Sequence, residues 1–328
     1  MPAARTVLLI AASCAAATAA RPSFEEWRVT HKVQYATEVE AATRASIFAA
    51  NMDLIDSLNA LPGRTVTLGA TRFADWTAAE WRARFTAAVR PSSPVARVST
   101  RIDAIPTNVD WTQSGCINSV MNHGQCGSVW AIAAVEELSA VCCLTSAHPT
   151  AATNLTVLSA QEVLDCDTVA QGCNGGFPTD AWHYAMNAGG LCSAAAYPYH
   201  GAPGTCRNAS CHHLCAPKSI VAVLPNSEAA TLAALAEQPI VLSVDASTND
   251  FMFYVGGVIS SATCGSNINH MLLATGYNTD ATTPYIRALN SWGAAWGETG
   301  YVRIGTSTAA AGPAGVCGVY SAPYYVTV

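Results

Sequence analysis

The sequence predicts an α+β protein, helical in its first half and β-rich in its second, with a short helical unit ahead of both. Three observations carry this. From Glu40 the residues Glu40, Arg44, Phe48, Asn51, Ile55 and Asn59 recur at steps of three and four, which places all six on one face of a long helix. Trp130 to Cys143, Ser159 to Cys166 and Asp180 to Asn187 carry small and apolar residues at helical spacing. Beyond Ile220 the chain turns to short apolar runs, Ile240–Val244, Met271–Ala274, Tyr285–Leu289 and Tyr301–Ile304, separated by Gly and Asn turns.

Residues 1–20 read as a secretory signal peptide. Arg5 supplies the positive start, Val7 to Ala12 the apolar centre, and Ala17-Thr18-Ala19 an A-x-A cleavage site. Of the 328 residues, 12% are charged and 51% hydrophobic, which excludes a disordered chain. A net charge of −6 argues against nucleic acid as a partner, because phosphate binding needs clustered Lys and Arg. No later apolar run is long enough to span a membrane. Thirteen cysteines become twelve once Cys14 leaves with the signal, an even number that suits disulfides in an oxidising compartment. Cys211-His212-His213-Leu214-Cys215 hints at zinc but lacks a second pair at finger spacing, so neither a metal nor a cofactor is expected.

Residues 21–85 form the most charged part. Their long helical face alternates charged, amide and apolar groups, where an ordinary amphipathic helix would be apolar, and this points to a specific polar network. Gly69, Phe73 and Asp75 follow it, and Phe24, Trp27, His31 and Tyr35 precede it. Residues 86–107 are rich in Pro, Ser, Val and Arg and read as an exposed linker. Residues 108–328 then hold the helical and β halves.

Residues 21–85 resemble the inhibitory prodomain of papain-family zymogens, with its ERFNIN helix and GNFD motif, although Thr71 stands where that family has asparagine. The stretch Asn122-His123-Gly124-Gln125-Cys126-Gly127-Ser128-Val129-Trp130 resembles the family's active-site segment. Asn269-His270-Met271 and Asn290-Ser291-Trp292-Gly293 resemble the segments that carry its base and the group that orients the base, and His270 lies about 140 residues after Val129, within the family's spacing. The resemblance implies a two-lobe fold, helical and β-barrel, with a peptide cleft between the lobes. It also implies activating cleavage in the linker.

Carried over residue by residue, the family pattern makes His270 the base, Asn290 its orienting partner and Trp292 the shield of their hydrogen bond. It puts Val129 in the nucleophile's place, where a valine has no lone pair to attack a carbonyl. It puts His123 where the family has a glutamine that donates to the oxyanion. Cys126–Cys173, Cys166–Cys206 and Cys264–Cys317 are the bridges it implies; each would be worth about 3–4 kcal/mol by loop-closure entropy. Cys116, Cys142, Cys143, Cys192, Cys211 and Cys215 are left for up to three further bridges of open pairing. Asn174, Gly175 and Gly176 correspond to the segment that pairs with an extended peptide, with a plain tight turn as the alternative. Phe177 and Pro178 would wall, and Ile268 and Ala322 floor, a pocket for an apolar side chain. Asn154 and Asn208 begin glycosylation sequons.

The sequence therefore points to a papain-family peptidase homologue of the secretory pathway, secreted or lysosomal/vacuolar, monomeric, and impaired in hydrolysis while retaining a cleft for a peptide or protein. Its own prodomain is the other expected partner. One alternative is a slow endopeptidase with another nucleophile. Ser128 is a poor candidate, since neighbouring helical residues project about 100° apart, and Cys126 is expected in a bridge. The other is a structural or adhesive secreted protein.

Overall fold

The computed structural model describes residues 21–85, 97–99, 105–146, 155–260, 264–306 and 311–328. Residues 1–20, where a signal peptide is expected, most of 86–107, where a linker is expected, and Asn154 of the first expected sequon lie outside them. Among the described residues the first three helices are α1 (Phe24–His31), α2 (Glu38–Asn59) and α3 (Ala78–Phe85). Ser23 starts α1 with a capping box, its hydroxyl accepting from the Glu26 N–H while Glu26 accepts from Ser23.

The mixed face of α2 has a physical purpose. Phe48 and Ile55 are buried, and Phe48 packs 5.2 Å from the Trp27 ring. The polar members between them satisfy the backbone of the segment that folds back along the helix. Asn51 Nδ2 donates to the carbonyls of Ala74 and Trp76, both at 2.8 Å. Asn59 exchanges two hydrogen bonds with the backbone of Leu68. Arg44 holds Glu80 through two nitrogens at 2.9 and 2.8 Å, and donates to the Asp75 carbonyl. Asp75 accepts from the Tyr35 hydroxyl, and Thr71 donates to the Met252 carbonyl across the interface with the rest of the chain.

Helices α4 (Val129–Thr145), α5 (Ala160–Cys166) and α6 (Pro178–Ala188) build the helical lobe. Buried side chains run almost without break along α4, where small residues allow close approach on every side. The Trp182 indole of α6 donates to the Ala134 carbonyl at 2.9 Å. The observed helices extend the expected Trp130–Cys143 and Asp180–Asn187 by one or two residues at each end, and Pro178 takes the first position of α6, where its missing N–H costs nothing.

Strands β1 (Val66–Leu68), β2 (Arg97–Ser99), β3 (Asn108–Asp110), β4 (Ser219–Val223), β5 (Ile240–Val244), β6 (Tyr254–Ile259), β7 (His270–Asn278), β8 (Tyr285–Leu289), β9 (Tyr301–Gly305) and β10 (Tyr324–Thr327) form one sheet. Its order is β1-β6-β9-β8-β7-β5-β10-β4-β2, with β3 also on β7. Two helices interrupt the β half, α7 (Glu228–Glu237) and α8 (Asn249–Met252), and the sequence reading missed both. The N-terminal unit joins this sheet: β1 pairs antiparallel with β6, and a Cβ on Gly257 would stand 2.3 Å from the Thr65 carbonyl oxygen. Glycine alone permits that approach.

Two apolar clusters result. One joins the β lobe to the N-terminal unit, and the other fills the helical lobe and includes Val129 and Trp130. Among the described residues six disulfides link Cys116–Cys143, Cys126–Cys173, Cys142–Cys215, Cys166–Cys206, Cys192–Cys211 and Cys264–Cys317. The six cysteines left open by sequence thus pair among themselves. No described helix is long and apolar enough to cross a membrane.

Candidate active site

His270 opens β7 and Asn290 follows β8, its neighbour in the sheet. Nε2 of His270 lies 2.8 Å from Asn290 Oδ1. A carboxamide oxygen only accepts, so Nε2 carries the proton, and in the neutral ring Nδ1 keeps the lone pair. Oδ1 of Asn290 also accepts from the Ser291 N–H, and the Asn290 N–H donates to the Gly300 carbonyl. These bonds fix the carboxamide that fixes the ring. Trp292 lies 4.6 Å from the imidazole, centroid to centroid.

His270 is wholly buried, and that burial pulls its pKa down to about 4 despite the Asn290 bond. Its Nδ1 has no hydrogen-bond partner among the described residues. Val129 starts α4 and is 1% exposed. Ser128 before it points elsewhere: its hydroxyl lies 2.5 Å from that of Tyr199, which donates to the His123 carbonyl. Cys126 is bonded to Cys173 and carries no thiol. Neither neighbour therefore supplies a free nucleophile.

His123 reaches the site from the loop before α4. Its N–H donates to the Ser291 carbonyl at 3.0 Å, and Gly293 N–H donates to the Met121 carbonyl at 2.9 Å. This pair of bonds ties the 121–123 loop to the loop that holds Asn290 and Trp292. His123 is buried too, and burial first, then the nearby His270, hold its pKa down at about 3.

The remaining candidates lie along the helical lobe. Asn174 ends a short turn, Gly175 has a φ of 111°, and a Cβ on Gly176 would stand 2.6 Å from the Trp130 ring. Glycine at 176 thus answers to the indole packed against it as well as to any peptide. Phe177 is buried edge-on against Tyr324 at 5.4 Å, and both lie with Ala322 in the helical-lobe cluster. Tyr324 escaped the sequence reading because nothing in its local pattern marks it; the β10 strand brings it there. Ile268 is half-buried two residues before His270. Asn208, half-buried, donates to the Tyr184 hydroxyl at 3.4 Å.

The N-terminal unit covers the imidazole side of this arrangement. Trp81 and Phe73 pack edge-on against Trp292 at 4.9 and 5.9 Å, and the Trp81 indole donates to the Ala246 carbonyl at 3.0 Å. Arg64 pairs with the buried Asp250 at 2.5 Å, adding a charged clamp at the same interface.

Residues 105–327 match the model of the papain family cysteine proteases, and residues 24–81 match the cathepsin propeptide inhibitor domain. The chain is 34% identical to ananain of Ananas comosus over 97% of its own length and 92% of that protein. It is 33% identical to papain of Carica papaya over 92% of its length and 85% of that protein. Among solved structures, a recombinant stem bromelain precursor superposes with a TM-score of 0.85 at 34% identity, covering 93% of this chain and 97% of that one. Digestive procathepsin L 3 of Tenebrio molitor gives 0.81 at 28% identity, covering 93% and 97%. With its inhibitor-type propeptide, helical lobe and β lobe in place, the chain belongs to the papain family of cysteine proteases.

Proposed function

We propose that this chain is a pseudoprotease, a papain-family zymogen that keeps a peptide-binding cleft and has lost hydrolysis. The observation that carries the reading is the pairing of an ordered His270–Asn290 couple with Val129 at the start of α4. A base with an orienting partner is two parts of a three-part device; the third, a thiolate favoured by the helix N-terminus, is absent from the residue we assign to it. Loss of a nucleophile costs on the order of 10⁶ in turnover. His123 in place of an amide donor adds a loss of about 10²–10³.

In this reading residues 108–328 bind an extended peptide along Asn174–Gly176, with an apolar side chain set among Phe177, Pro178, Ile268 and Ala322. Residues 21–85 act as the propeptide, residues 86–107 hold the activation site, and a signal at 1–20 directs the monomer into the secretory pathway.

The test compares wild type and Val129→Cys, processed alike, on a peptide with an apolar residue followed by arginine. Wild type should be silent but should bind the peptide, and Val129→Cys should gain turnover. Wild-type turnover abolished by His270→Ala would overturn the inactive reading. Absence of peptide binding by the processed protein would leave the fold as a structural module only.

A further inference from the structure

Among the described residues, one group of side chains brings metal-ligand atoms together. One atom each from Glu162, Cys192, Cys211 and His213 lies within 4.8 Å of the other three. They come from α5 and from two loops that carry none of the candidate active-site residues. A reciprocal backbone pair between Leu191 and Leu214, at 2.9 and 2.8 Å, clamps the loops so that Cys192 and His213 flank one rung. A Cβ on Gly190 would stand 2.4 Å from the Leu214 carbonyl oxygen, so the clamp demands glycine there.

The surroundings have the form of an outer coordination shell. Nδ1 of His213 lies 2.8 Å from the Ala188 carbonyl oxygen, which only accepts; Nδ1 therefore holds the proton and Nε2 is the nitrogen turned to the group. Nε2 lies 3.0 Å from Glu162 Oε1. Glu162 is fully buried, with Oε1 accepting from the Tyr184 hydroxyl at 2.9 Å and Oε2 from the Cys192 N–H at 2.7 Å. A buried, oriented carboxylate beside an oriented imidazole and the two sulfurs of the Cys192–Cys211 pair is an N, O, S₂ donor set of the kind zinc takes in four-coordinate sites. Zinc–ligand bonds of about 2.0–2.3 Å put neighbouring ligands about 3.3–3.8 Å apart, so assembly needs shifts of about 1–2 Å. Sequence spacing alone argued against zinc here, because the Cys211–Cys215 run lacks a second pair at finger spacing; Glu162 and Cys192 lie far from it and only the fold delivers them.

We propose that, in the dithiol state of the chain, Glu162, Cys192, Cys211 and His213 hold one zinc-type divalent ion, so that this cysteine pair alternates between metal capture and the Cys192–Cys211 bond. Capture ionises two thiols and releases two protons as two sulfur–metal bonds form. A disulfide-bearing oxidant reverses it: the Cys192–Cys211 bond forms, the oxidant's own bond breaks and takes up two electrons and two protons to give two thiols, and the ion departs. The site thus couples maturation of the helical lobe to metal supply.

The experiment uses the full chain and Co²⁺ as the probe. The chain is reduced stepwise with a phosphine, the open cysteines are mapped by alkylation and mass spectrometry, and Co²⁺ is titrated in. One equivalent should bind with tetrahedral ligand-field bands and sulfur-to-cobalt charge transfer once Cys192 and Cys211 are open, and Zn²⁺ should displace it. The fully oxidised chain should show no such bands. His213→Ala should weaken binding by at least tenfold, and Cys192→Ser should remove the charge-transfer signature. Absence of the bands in dithiol protein, or bands that survive Cys192→Ser, would overturn the proposal. Should reduction unfold the chain, oxidative refolding is followed instead: Zn²⁺ should delay the Cys192–Cys211 bond about tenfold relative to the other five, and an equal delay of all six would overturn it.

Discussion

Trp81 of the propeptide stands edge-on against Trp292 of the β lobe, ring centroids 4.9 Å apart, and Trp292 in turn lies 4.6 Å from His270. Trp292 thus stands between the propeptide and the imidazole, and the burial that depresses the His270 pKa should depend in part on the segment that covers Trp292. Removing Trp81 should cost about 3–5 kcal/mol, as loss of a large buried ring does. In Trp81→Ala the His270 pKa should rise from about 4 toward the ordinary 6.5. Titration of the imidazole resonances by NMR measures this, and an unchanged His270 would show that the propeptide does not contribute to its burial.

Stability should fall as pH rises from about 4.5 to about 8 because of Glu136. This carboxyl is fully buried in α4, and burial pushes its pKa up to about 8. Between 4.5 and 8 the folded chain holds a proton that the unfolded chain has lost, so raising pH favours unfolding. Burial also raises the carboxyl of the adjacent Glu137 well above its ordinary value, so Glu136→Gln should make this limb shallower without abolishing it, with a gain on the order of a few kcal/mol at pH 8 and little at pH 4.5. Urea midpoints of the two proteins at the two pH values give the answer; equal slopes would mean that Glu136 is solvated.

The acid limb should come from the two histidines. His123 and His270 titrate at about 3 and about 4 in the folded chain, against 6.5 for an exposed imidazole. Below 6.5 the unfolded chain binds protons that the folded chain refuses, so stability is lost as pH falls toward 4. His123→Asn with His270→Asn should remove most of that loss. Chevron or urea data at pH 4.5 and 6.5 would show it, and a double variant as acid-sensitive as wild type would assign the limb to carboxylates instead.

How much of this was legible in the sequence depended on the range over which each signal acts. The α2 face was readable because Arg44, Asn51 and Asn59 recur at helical steps, and their partners all lie in the one segment that folds back on the helix. The motifs around His270 and Asn290 were readable as local strings, and the fold sets them side by side because one opens β7 and the other follows its neighbour β8. Tyr324 and the Trp81–Trp292 contact had no local mark, and the Glu162–His213 group was marked only in its Cys211–Cys215 part, because each joins segments far apart in the chain. Helix α7 was missed for another reason: Glu228–Glu237 is rich in alanine and leucine, and its setting among strand-like runs hid a helical period.

The α2 network makes an ordering testable. Asn51 donates to two carbonyls of a half-buried segment, and Asn51→Ala leaves both without that donor. The cost should be about 1–3 kcal/mol per carbonyl. Glu80→Gln disturbs a pair whose side chains are 24% and 39% exposed, and should cost no more than about 1 kcal/mol. Thermal melts that rank Glu80→Gln as the more damaging would reverse the assignment of α2 as a backbone-satisfying helix.

Gly176 separates packing from peptide recognition. A Cβ there would stand 2.6 Å from both Ala170 Cβ and the Trp130 ring, and Trp130 is held by its indole donating to the Gly172 carbonyl at 3.1 Å. Neither neighbour is the free end of a flexible chain, so Gly176→Ala should force a shift costing about 1–3 kcal/mol. Because Trp130 directly follows Val129, the strain should also reach the first turn of α4. Gly63 is the control: its φ of 76° disfavours a side chain, but nothing lies within 4 Å of a Cβ there. Gly63→Ala should cost only about 1 kcal/mol, the penalty of the left-handed backbone. Differential melting of the two variants decides the matter. If Gly176→Ala melts with wild type yet fails to bind peptide, the glycine serves the ligand's backbone alone; a lower melting temperature with or without peptide places its first duty in packing against Trp130.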